Sequence, residues 1–216
     1  DFRAAGKLVQ DNLTMLVAFL LPATIGAVAI AEPLYTVFYG KPDSLALGLF
    51  ILAMLQTIIL GLYTVLSPMI QALFQNRKAI LYFGYGVLVK LILQVPFIYV
   101  FKAYGPLLST TIGLMIPIVL MYKEIHQVTH FNRKTVFKRS LLTAILTLIM
   151  LLVVLVAGLI LGLVIKPNGR VTSMLYVALI GGVGIVVYGG LGLRLRFLDR
   201  FIGSKAASLR NKFHIS

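Results

Sequence analysis

The chain has no cysteine and no tryptophan among its 216 residues. Without cysteine there is no disulfide, no thiolate metal site and no cysteine nucleophile. Acidic residues are nearly as scarce: six Asp and Glu stand against twenty Lys and Arg, a formal charge of +14. Charged residues make up only 12% of the chain, about half the roughly 25% of a soluble domain. What fills the space is apolar, with 60% hydrophobic residues and a mean hydropathy of +0.99. A water-soluble globule of this size has no interior large enough to hide that surface. Disorder, collagen, coiled coil and the small disulfide scaffold are excluded by the same composition. The sequence opens at Asp1 with no Met and no basic stretch leading into an apolar core, so no signal peptide has to be set aside. An apolar run that starts so soon reads as the tail of a longer protein.

A membrane-spanning helix needs about 20 mostly apolar residues, and windows poor in charge mark six of them. They are Asn12–Ala31, Leu45–Gln71, Ala79–Phe101, Ala103–Tyr122, Ser140–Ile165 and Val171–Leu193. Their runs are continuous, whereas the strands of a membrane barrel alternate with period two over about 10 residues. The fold class expected is therefore all-α, an integral membrane bundle of six transmembrane helices. Lys and Arg sort by side, as the positive-inside rule requires of short loops. Fifteen fall on one face: Arg3, Lys7, Arg77, Lys78, Lys123, Arg133, Lys134, Lys138, Arg139 and the tail residues Arg194, Arg196, Arg200, Lys205, Arg210 and Lys212. Four fall on the other, Lys41, Lys102, Lys166 and Arg170. Both ends of the sequence are thereby expected in the cytoplasm, and the excess of positive charge is read as topology rather than as a nucleic-acid surface.

Four regions follow: 1–122 with four spans, a basic cytoplasmic loop at 123–139, a further pair of spans at 140–193, and a basic tail at 194–216. Glu32-Pro33, Gly40-Lys41-Pro42-Asp43 and Lys166-Pro167-Asn168-Gly169 carry turn residues on the outer side. The 123–139 segment is the longest connection, with room for a short interfacial helix. In the tail, Phe197, Leu198, Phe201 and Ile202 among basic residues read as an amphipathic stretch on anionic lipid.

One charge lies inside a span. Lys90 is the twelfth residue from Ala79, close to the bilayer midplane at about 1.5 Å per residue. A Lys at that depth costs about 2.5–3.5 kcal/mol on insertion scales, so it should face protein or a water-filled cavity. No acidic residue falls in any span, which leaves a backbone carbonyl, a carboxylate elsewhere in the protein or an anionic substrate as its partner. Tyr82, Gly86, Lys90 and Gln94 recur at i+4 and share one helix stripe. Gln56, Thr64, Ser67 and Gln71 form a similar stripe in the span before, beside Pro68. The candidate substrate contacts are Lys90, Gln94, Gln56 and Tyr82. Pro22, Pro96 and Pro117 interrupt spans and are candidate hinges, since each removes a backbone hydrogen bond. The glycines of the last span, from Gly181 to Gly192, lack the G-x-G-x-x-G spacing and serve helix packing. His126 and His130 have the i, i+4 spacing of a zinc helix, but position 127 is Gln and no third ligand is apparent. No metal, cofactor or catalytic residue is therefore assigned, and no enzyme.

The text itself points further. LPATIGAVAIAEPLYTVFYG, from Leu21 to Gly40, resembles the ninth-helix signature of the multidrug/oligosaccharidyl-lipid/polysaccharide flippase superfamily, through Pro22, Ile25, Gly26, Pro33, Leu34, Phe38 and Gly40. MIQALFQNRK, Met69–Lys78, is similar to the basic end of the tenth helix. GVLVKLILQVPFIYVFKAYGPLLSTTIG, Gly86–Gly113, resembles the eleventh helix and the turn after it, with Lys90 on a Lys common in that pattern. It departs at Gln94, where Asn is frequent, and at Tyr104-Gly105-Pro106, where the turn is usually richer in glycine. The closest subgroup is the bacterial polysaccharide-biosynthesis proteins, which take in stage V sporulation protein B and lipid II flippase relatives. The resemblance implies helices nine to fourteen of a fourteen-helix flippase in the bacterial cytoplasmic membrane. It implies an anionic undecaprenyl-linked glycolipid as substrate, membrane lipids as surroundings, an N-terminal half of the same chain as partner, and no nucleic acid. A drug/cation antiporter of the same superfamily and a non-transporting membrane scaffold subunit are the alternatives.

Overall fold

The computed structural model describes residues 2–74, 76–164 and 169–194. These form seven α-helices, α1 (Phe2–Ala29), α2 (Ala31–Tyr39), α3 (Ser44–Phe74), α4 (Asn76–Phe101), α5 (Gly105–Thr129), α6 (Arg133–Val164) and α7 (Arg170–Arg194), with a 3₁₀ turn at Lys102–Tyr104. No strand occurs among the described residues. The tail beyond Arg194 and the turn residues Lys166, Pro167 and Asn168 lie outside them.

Five helical stretches are long and apolar enough to cross a membrane: Ala5–Ala29, Ser44–Leu73, Arg77–Thr129, Arg133–Leu163 and Arg170–Gly192. The third holds 53 residues, about 80 Å of helix against a hydrocarbon core of about 30 Å. It folds back on itself as a hairpin of α4 and α5. At the tip Lys102 has a positive φ of 50°, and α5 starts against the backbone of α4. A Cβ on Gly105 would lie 2.5 Å from the Phe97 carbonyl oxygen and 2.7 Å from the Ile98 nitrogen. Only glycine can stand at that crossing.

Two of the expected loops are helical. Glu32-Pro33 is the first turn of α2, set off from α1 by Ile30 alone. Proline is tolerated there because the first turn of a helix has no backbone acceptor for its missing N–H. The turn on that side is Gly40–Asp43, where Gly40 adopts a φ of +91°. The basic segment 123–139 is likewise no extended loop: α5 continues to Thr129, His130–Asn132 turn the chain, and α6 begins at Arg133. His130 closes α5 in the left-handed conformation with φ 47°. Asn132 caps α6, its Oδ1 accepting from the Thr135 N–H at 3.2 Å. Basic side chains extend both helices past their apolar runs because an exposed helix end needs no burial.

The described chain divides into two compact units, each drawing on separated stretches of sequence. The first takes the start of α1 up to Leu20 and Ser44–Ser140. Its core gathers Val9, Leu13, Leu66, Ile70, Met121, Ile125 and Phe131, at the end where the basic residues lie. The ion pair of Arg139 with Asp11, at 3.1 Å, is at the same end. The second unit takes Leu21–Asp43 and the chain from Leu141 onward. There Leu146, Met150 and Val154 of α6 and Ile180 of α7 are buried, and Tyr176 donates to the Gly158 carbonyl at 3.0 Å. Buried hydroxyls in both units turn back onto their own helix, as Thr14 does to the Gln10 carbonyl at 2.7 Å and Thr147 to that of Thr143 at 2.8 Å. That satisfies them without a partner helix.

Candidate functional site

The polar stripe of α4 is the face it packs on α5. The residues α5 buries, Gly105, Ser109, Gly113, Pro117, Met121, Ile125 and Thr129, step by four throughout. Running antiparallel, they meet the four-residue steps of α4 in register. Ser109 shares its hydroxyl between Gln94 Oε1, at 3.2 Å, and the Pro106 carbonyl, at 3.0 Å. One step along, Lys90 lies over Gly113, and a Cβ on Gly113 would come within 2.8 Å of the Lys90 Cβ. The next step sets Gly86 against Pro117, where a Cβ would come within 2.8 Å of the proline Cδ and press on the Gly113 carbonyl oxygen. Two glycines and a proline thus bring the backbones close, as small residues do between membrane helices.

That close approach leaves a cavity beside Lys90. About 120 Å³ of space is bounded by Phe83, Gly86, Val87 and Lys90 of α4 and Thr110, Gly113, Leu114 and Pro117 of α5. Lys90 is half-buried in its wall and carries the only charge of the lining. No carboxylate pairs with it among the described residues: Asp11 binds Arg139 and Glu124 binds Lys78. Pro117 has no N–H to give to the carbonyl of Gly113, four residues back. That carbonyl faces α4 at Gly86, one turn from Lys90.

Of the other sequence candidates, Gln94 sits one turn from Lys90 and bonds Ser109. Tyr82 lies two turns the other way, and its hydroxyl donates to Glu124 Oε2 at 3.0 Å. Gln56 is half-buried on α3 and does not line the Lys90 cavity. The α3 stripe it belongs to bonds largely within its own helix, Gln71 to Ser67 at 3.2 Å and Thr64 to the Gly61 carbonyl at 2.8 Å. Pro117 is buried in the α4–α5 face, Pro96 is exposed, and Pro22 is buried just past the point where the chain leaves the first unit. All three helices continue through their prolines.

Sequence reasoning passed over Glu124. It takes Lys78 Nζ at 2.6 Å on one oxygen and Tyr82 on the other, which fastens the basic end of the hairpin. The signal available was a lone acid at the end of one span opposite a basic pair at the start of the previous one. His126 and His130 stack edge to face with ring centroids 6.5 Å apart, and no group of three metal-type ligands forms among the described residues.

The chain is 28% identical to the lipid II flippase MurJ of Bacillus subtilis (strain 168) over 210 residues, 95% of its own length. That similarity agrees with the superfamily resemblance read from Leu21–Gly40, Met69–Lys78 and Gly86–Gly113. It spans 38% of the length of that relative. No family model and no solved structure matches it.

Proposed function

We propose that this flippase-like chain is the C-terminal part of a transporter that flips a lipid-linked oligosaccharide or peptidoglycan precursor across the bacterial cytoplasmic membrane by alternating access. Lys90 meets the anionic head group of that lipid. The observation that carries this reading is a mid-span ammonium in the wall of a cavity with no carboxylate partner among the described residues. Such a charge is costly in lipid and is read by default as part of a functional site. The similarity to a lipid II flippase over nearly the whole chain supports the substrate class. Gln94, Gln56 and Tyr82 extend the polar route on either side. Pro22, Pro96 and Pro117 supply the places where helices bend between inward- and outward-open states. The basic end of the hairpin faces the cytoplasm, as the distribution of Lys and Arg requires, and an N-terminal half of the protein completes the cavity.

A charged hydrogen bond of the kind Lys90 would make to a phosphate contributes about 1.5–3 kcal/mol. Lys90→Met should therefore slow translocation of the lipid-linked precursor in reconstituted vesicles by roughly 10- to 100-fold, with helical content unchanged. An unchanged rate would remove Lys90 from the transport path.

A further inference from the structure

We propose that the α5–α6 turn is a proton-operated latch, held closed by neutral His126 and opened when that ring takes up a proton. It stands apart from the transport path. Phe131 is the plug of the turn. It is only 4% exposed and belongs to the core of the first unit, with Tyr122 edge-on to it at 5.4 Å between ring centroids. His126 forms another side of the socket, edge to face at 5.0 Å, and its ring bonds the Phe131 backbone. The backbone of the turn is not relaxed. His130 closes α5 at φ 47°, its N–H on the His126 carbonyl at 2.9 Å, and a left-handed conformation is costly for a residue with a side chain. Packing of Phe131 therefore holds a turn that the backbone alone does not favour.

The socket suits His126 only as a neutral ring. Its Nδ1 is buried and has no hydrogen-bond partner among the described residues. A neutral imidazole can leave that nitrogen as a bare acceptor, but the imidazolium carries N–H on both nitrogens. The second N–H would be buried, charged and without an acceptor. No free carboxylate is at hand to offset the charge. On α5 itself Glu124 is taken by Lys78 and Tyr82, and the neighbouring Lys123 and His130 can only add positive charge. Arg133 of α6 lies over the Tyr122 ring, 5.6 Å from its centroid, and repels a charged His126. At this end α1 carries Arg3, Lys7 and Asp11, and Asp11 is bound to Arg139. The basic pair Arg77 and Lys78 opens α4, while α3 has no charged residue and only Tyr63 to titrate. Each element around the turn thus brings a cation, no charge, or an acid already paired.

An open turn exposes the imidazole to water, where its ordinary pKa is near 6.5, while the closed turn disfavours the proton. The closed state is therefore fully favoured above that pH and loses ground as the pH falls below it. An exposed ring is about 10% charged at pH 7.5 and about 90% at pH 5.5, so the open fraction should rise by up to about tenfold over that interval. What opens is the joint between α5, which walls the Lys90 cavity, and α6, which runs on into the second unit.

The test is thiol labelling of Val136→Cys, a half-buried position of α6 packed against the core that holds Phe131. It uses the full-length protein in nanodiscs, with that thiol as its sole cysteine, between pH 7.5 and 5.5. Each rate is divided by that of the same thiol beside His126→Phe, which keeps the ring contact and cannot take a proton, so the ionisation of the thiol cancels. The ratio should rise by about threefold to tenfold as the pH falls. His126→Arg, charged at every pH, should label fast at pH 7.5 with helical content unchanged. The rise should survive His130→Asn, since Asn also suits the left-handed position. A ratio constant to within about twofold, with His126→Gln as the reference as well as with His126→Phe, would overturn the latch. So would a rise that disappears in His130→Asn, and either result would leave the transport reading standing.

Discussion

A single methyl group at Gly86 tests the hairpin on which the site depends. A Cβ there would lie 2.8 Å from Pro117 Cδ and 3.1 Å from its Cγ, and would press on the Gly113 carbonyl oxygen. Neither obstacle can swing away, because one is a closed ring and the other is backbone. Ordinary contact would require α4 and α5 to part by about 1 Å, and overpacking of this kind costs about 1–3 kcal/mol. Two residues earlier on the same helix, a Cβ at Gly84 would have nothing within 4 Å. Gly84→Ala should instead gain up to about 1 kcal/mol of helix propensity. The two substitutions are chemically identical and gain the same helix propensity, so the spread between them, about 1–3 kcal/mol, reports packing alone. The assay is thermal unfolding of the purified protein in detergent, paired with disulfide crosslinking of Gln94→Cys to Ser109→Cys. The 216 residues contain no cysteine, so none of them competes with that crosslink. Gly86→Ala should unfold at lower temperature and crosslink more slowly than Gly84→Ala. Equal stability and equal crosslinking would refute the close approach of α4 and α5, and with it the cavity.

Two further predictions concern the basic end. Asn132→Ala removes the Oδ1 that accepts the Thr135 N–H and should cost about 1 kcal/mol in the same unfolding measurement. Glu124→Lys alone should place a cation beside Lys78 and lower the unfolding temperature, and Lys78→Glu in the same chain should restore most of the loss. A double variant no better than the single would show that Glu124 does not fasten the hairpin through Lys78.

The helices themselves could be read from charge alone. Windows with no charge, or in α4 with Lys90 alone, located α1, α3, α4, α5, α6 and α7, because in a membrane the penalty for a charge is large and local. What escaped was the helix that needs no such window. Glu32 and Pro33 look like a turn by residue type, and only their place in the first turn of α2 makes them helical. In the same way Lys123, Lys134 and Lys138 read as loop because they are charged, although a helix may run on into water. At the site, the i+4 stripe through Lys90 was visible in α4. Its partner was not, since the match of Gln94 to Ser109 and of Gly86 to Pro117 depends on where the hairpin turns. That turn is set by Lys102 and Gly105, and no periodicity announces it. Glu124 was missed for the same reason: it lies 46 residues from Lys78 and becomes its neighbour only once α5 has folded back.

The claim at the centre of this account is that the mid-span ammonium of Lys90 handles the anionic end of a lipid in transit. Translocation of an undecaprenyl-pyrophosphate-linked precursor, followed in vesicles holding the full-length protein or its Lys90→Met variant, measures that directly. The account predicts a rate roughly 10- to 100-fold lower in the variant and near-normal transport in Lys90→Arg. Equal rates in the full-length protein and Lys90→Met would contradict it.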